Sequence, residues 1–80
     1  MADEQVTMQI EILAREEHAL FEKESAGKAT PADSERLRQV GILLDQCWDL
    51  LRQRRAKREF GQNPNEARAR DPKTIKNYQG

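Results

Sequence analysis

TPADSERLRQVGILLDQCWDLLRQRRAKREFG, residues 30–61, is where the fold is decided. Thr30 stands where a helix N-cap is wanted. Pro31 occupies the first helical position, where its missing N–H costs nothing, and Asp33 sits three residues on, the capping-box position. From there Leu37, Val40, Leu44, Cys47, Leu51 and Arg54 recur at alternating steps of three and four. That spacing keeps one narrow stripe of a helix turned toward a single neighbour. Gly61 and the following QNPN end the run, so a helix is expected over about 31–60.

A matching stripe precedes it. Val6, Ile10, Leu13, Glu17 and Leu20 alternate steps of four and three in a helix expected over about 3–24, with Asp3 as its cap. The intervening SAGKAT, residues 25–30, is a short, glycine-containing break, and so short a connection favours antiparallel neighbours. Folding the chain there pairs the two stripes in one register: Leu20 with Leu37, Leu13 with Leu44, Ile10 with Cys47, Val6 with Leu51. The expected fold is therefore all-α, an antiparallel, coiled-coil-like two-helix hairpin over 1–61. Its seam is Val6, Ile10, Leu13, Leu20, Leu37, Val40, Leu44, Cys47 and Leu51. Glu17, the polar member of the seam, is read as fixing register. Residues 62–80 are polar and proline-containing and read as a loosely ordered tail, in which Asp71-Pro72 starts a helical turn carrying Ile75 and Tyr78.

The apolar surface is wider than one neighbour covers. With Leu44 at zero, Trp48 lies at about +40° and Gly41 at about +60°, while Cys47, Leu43 and Leu50 lie at about -60°, -100° and -120°. Met8 and Ile12 lie off the seam of the first helix. These positions predict a homodimer forming a four-helix bundle, joined through Met8, Ile12, Leu43, Trp48 and Leu50. Gly41 is read as permitting a close helix approach under Trp48, so that Gly41→Ala destabilises despite its better helix propensity.

Composition narrows the function. The 80 residues are 36% hydrophobic and 35% charged, which suits one small domain, and no apolar run approaches the ~20 residues a membrane span needs. The acidic N-terminus lacks the apolar core of a secretory signal, and Cys47, the single cysteine, has no disulfide partner in the chain. Both point to the cytoplasm.

The net charge of zero hides an asymmetry. Acids exceed bases by five over residues 1–24, while bases exceed acids by four over 50–60. The basic cluster Arg52, Arg54, Arg55, Lys57 and Arg58 suggests phosphate contacts, and a minor nucleic-acid-associated protein using this end of the helix and the tail is the alternative reading. Three features weigh against it. The five cations spread around the helix, cations suit a helix C-terminus in any case, and the hairpin register sets Arg54 level with Asp3.

No catalytic, cofactor-binding or metal-binding set emerges. His18 has Arg15 three residues before it, where a di-iron bundle would place Glu. Cys47 lies about 12 Å along the hairpin from the level of His18, too far for activation. A non-enzymatic structural or protein–protein interaction module, with an unidentified protein as a possible further partner, is the expected role.

The run LDQCWDLLRQRRA (44–56), with NPNEARAR (63–70), TIKNYQ (74–79) and EILAREEHAL (11–20), resembles a family of small actinobacterial-type proteins, domain-of-unknown-function family 2630. The resemblance implies a compact helical protein and transfers no catalytic or ligand role to any residue. The chain departs from the family pattern at Gly41, where an acidic residue is expected.

Overall fold

A computed structural model describes residues 3–73 and 75. Helix α1 spans Asp3–Ser25, helix α2 spans Pro31–Glu59, and a 3-10 turn follows at Pro64–Glu66. The capping box forms as its residues require: Asp33 N–H donates to Thr30 Oγ1 at 3.1 Å, and Thr30 N–H donates to Asp33 Oδ2 at 3.0 Å. Both helices end the same way. Gly27 and Gly61 take φ of 70° and 71°, the left-handed conformation a side chain resists. Lys28 N–H then reaches back to the Lys23 carbonyl and Gln62 N–H to that of Lys57, satisfying carbonyls the helix ends leave open.

The helices pack side by side as a hairpin. Val6 and Val40 are completely buried, and Ile10, Leu20, Leu44 and Leu51 complete the core. Leu13, Leu37, Cys47 and Leu50 pack against it half-buried. All nine seam residues thus meet along the hairpin. Polar contacts follow the same register to within a residue: Asp3 with Arg54, Gln9 with Cys47, Lys23 with Asp33, Glu24 with Ser34. Glu16 and Arg36 add a two-pronged bridge between the helices, at 2.5 and 2.9 Å. Glu17 is half-buried, and its side chain makes no hydrogen bond or ion pair with any described residue.

Leu50, expected at a dimer join, is half-buried and also packs against the hairpin's own core. One expectation needs correction. The segment after Gly61, expected to be loosely ordered, is fastened along the back of α2 over its described residues. Gln53 acts on it like a strip of backbone, its amide N–H donating to the Arg68 carbonyl at 2.6 Å and its carbonyl accepting from Arg68 N–H at 3.3 Å. Gln46 donates to the Arg70 carbonyl at 3.2 Å, and the Arg70 guanidinium lies 3.4 Å from Asp49. Ala67 and Ile75 are buried. Asp71 does begin a helical turn, with its side chain accepting from Lys73 N–H and its carbonyl from Ile75 N–H; Tyr78 lies outside the described residues.

Candidate functional site

At the open end of the hairpin, three parts of the chain converge on Arg54. It is 5% exposed, and its guanidinium donates to Asp3 Oδ1 at 2.6 Å and to the Pro64 carbonyl and Asn65 Oδ1 at 3.2 Å each. Arg58 pairs with the other oxygen of Asp3. Arg58 and Arg54 together hold the Asp3 carboxyl at about 2, well below its ordinary value. The basic cluster is thus not one free stripe. Two of its five members are engaged with the acidic start of α1, Arg52 lies 4.0 Å from Asp49, Lys57 is half-buried, and Arg55 stands exposed with no ion pair among the described residues.

The depressed Asp3 carboxyl fixes a pH response. A carboxylate whose pKa is lower folded than unfolded stabilises the fold fully above its unfolded value and ceases to as pH falls through the folded one. Asp3 therefore supports the fold above pH ~4 and stops doing so as pH drops toward ~2. Glu16, held low by Arg36, and Asp33, held low by Thr30 N–H, act with the same sign. Urea unfolding across that window should show stability falling toward acid, and Asp3→Asn should flatten part of the fall.

The exposed apolar residues divide between two faces. On one, Ile12 (60% exposed) and Leu43 meet Gln9, Leu13 and Cys47 around an open groove of about 300 Å³, which continues past Met8 and Gln5. No charged side chain lines it. On the opposite flank of the seam, Trp48 (47% exposed) borders a groove of about 510 Å³ with Gly41, Leu44, Asp45 and Glu17. The residues expected to form one dimer join are therefore spread: Met8, Ile12 and Leu43 on the first face, Trp48 on the second, and Leu50 half-buried against the core. Phe21 and Phe60 are also exposed and stood outside the expected join. Gly41 needs correction too. A Cβ built on it would meet nothing within 4 Å, so no close approach inside the hairpin depends on it.

The groups that might suggest chemistry are dispersed. His18 is exposed and paired at 3.0 Å with Glu22 one turn on. Cys47 Sγ faces Gln9 Oε1 at 3.9 Å, and burial pushes its thiol above the usual range, away from the reactive thiolate. Among the described residues no three His, Cys, Asp or Glu side chains gather as metal ligands, and no helix is long and apolar enough to cross a membrane.

Comparison with known proteins agrees with the family resemblance. The family described as "Protein of unknown function (DUF2630)" matches residues 2–80. An uncharacterized protein of Mycobacterium tuberculosis (strain ATCC 25618 / H37Rv) is 40% identical over 79 residues, covering 98% of this chain and 91% of the relative. An uncharacterized protein of Mycobacterium bovis gives the same figures. No solved structure matches the chain.

Proposed function

The chain belongs to the DUF2630 family, and on that premise we propose that it is a non-enzymatic, cytoplasmic structural or protein–protein interaction module that works as a homodimer. The observation that carries this reading is the exposed apolar surface flanking the seam. Met8, Ile12, Leu43 and Trp48 are between 38% and 60% exposed; Ile12, Leu43 and Trp48 line grooves built from both helices, and Met8 extends the Ile12 side along α1. Large side chains grouped in grooves, rather than scattered singly, are the usual mark of a contact surface. A partner protein of another kind would use whichever face the dimer leaves open. The nucleic-acid alternative loses support from Arg54 and Arg58, whose charges meet Asp3 within the hairpin.

Sedimentation equilibrium of the full chain tests the reading. The expected result is a species of twice the 9.3 kDa protomer mass at micromolar concentration; a monomer throughout that range would refute it. A gel-shift series in salt decides the alternative, since steep salt dependence with strong binding would favour it.

A further inference from the structure

We propose that two copies associate about a two-fold axis with their α2 helices antiparallel, Trp48 of each copy seated over Gly41 of the other and beside its Glu17. This rests on the homodimer reading above and names the surface that makes it.

Gly41 supplies the first reason. A glycine inside a helix costs about 1 kcal/mol relative to alanine, and the space above this one is open, so the protomer makes no use of the missing side chain. Trp48 is the complementary object, a large side chain left half in solvent. The two lie seven residues apart, about 10.5 Å along the helix, and only about 20° apart around it. A two-fold interface is self-complementary: whatever residue i meets in the other copy, that residue meets i in return. An axis passing between Leu44 and Asp45 lays each Trp48 on the other copy's Gly41, so both hollows are filled at once.

The second reason is polar. A buried indole needs an acceptor for its N–H. Glu17 lines the same groove as Gly41, and its carboxylate accepts nothing from any described residue. It is placed to receive the incoming indole N–H as a charge-assisted hydrogen bond.

Charge along the stripe supplies the third. By helix periodicity, Glu17 and Glu24 lie toward the loop end of this face, where Arg38, which also lines the groove, is paired with Glu35 at 2.6 Å, and Arg52 and Arg55 lie beyond Trp48 at the open end. An antiparallel two-fold brings each acidic end against the other copy's basic end. The Gly41–Trp48 stripe also lies about 80° around α2 from the line of contact with α1. Two hairpins joined along it close into a four-helix bundle rather than a flat sheet of helices. The groove at Ile12 and Leu43 is lined by no charged side chain, so it has no opposed charges to orient a second copy.

The test uses the full chain, with dimer dissociation constants from sedimentation equilibrium and emission from Trp48, the single tryptophan. Wild-type emission should shift to the blue as concentration drives association, because the half-exposed indole becomes covered. Gly41→Leu should fill the hollow and raise the dissociation constant about tenfold or more. Its circular dichroism should stay as helical as wild type, since leucine favours helix over glycine. Trp48→Ala should weaken association comparably, whereas Ile12→Glu should leave it within about twofold. A dimer insensitive to Gly41→Leu and Trp48→Ala but broken by Ile12→Glu would overturn this surface while the homodimer reading stands. A wild-type monomer up to about 100 μM would overturn both.

Discussion

Replacing Arg54 by alanine should destabilise the fold by about 3 kcal/mol, read as a lowered midpoint in urea with an unchanged slope. The size follows from what one buried side chain does. It closes the hairpin's open end through Asp3 and holds the 3-10 turn through the Pro64 carbonyl and Asn65. Hydrogen bonds from a charged donor are worth more than neutral ones, and removing the donor leaves three acceptors to find water in a crowded corner. Its aliphatic stem is also lost from the packing. Arg58→Ala is the internal control. It contacts the same Asp3 from a side chain 46% exposed, where an ion pair is screened by water, so it should cost at most about a third as much. Equal effects from the two substitutions would show that net charge near Asp3, rather than the buried junction, is what matters.

That junction also marks where reading the sequence succeeds and where it stops. The seam is legible because apolar spacing and a tight connection leave one antiparallel register, and Asp3 falls level with Arg54 in that register. The capping box at Thr30 and Asp33 is legible because each partner is three residues from the other. The docking of residues 62–75 is not written in an apolar pattern. It depends on Gln46, Asp49 and Gln53, a polar stripe at helical spacing on the far side of α2, meeting backbone carbonyls and an arginine across 15 to 24 residues. Hydrophobic periodicity does not register such a stripe, and the polar composition that suggests a loose tail is the very chemistry that fastens it. The contact of Leu50 with the core is missed for a related reason. Its position around the helix places it outside the ideal seam, yet the contact between the helices is broad enough to draw it in. Gly41 shows the opposite limit. Its cost to the helix is visible in sequence, but only the empty space around it shows that the hairpin itself does not need it.

Leu51→Ala should cost about 3 kcal/mol in the same unfolding measurement, whereas Ile12→Ala should stay within about 0.5 kcal/mol for the monomer. Leu51 is 3% exposed and belongs to the core with Val6 and Leu44, so truncation removes its transfer free energy and leaves a cavity between two helices held apart by their neighbours. A chain of this size has a stability of only about 4–12 kcal/mol, so the substitution removes a large share of it and should visibly populate the unfolded state near physiological temperature. Ile12 is 60% exposed and surrenders little to water. The contrast separates the two apolar populations that composition alone lumps together: one that holds the hairpin closed and one that the hairpin leaves outside. If Ile12→Ala proved as damaging as Leu51→Ala at concentrations where the protein dimerises, and harmless on dilution, Ile12 would be covered in the assembly and the face bearing Met8 and Leu43, rather than Trp48, would be where the copies meet.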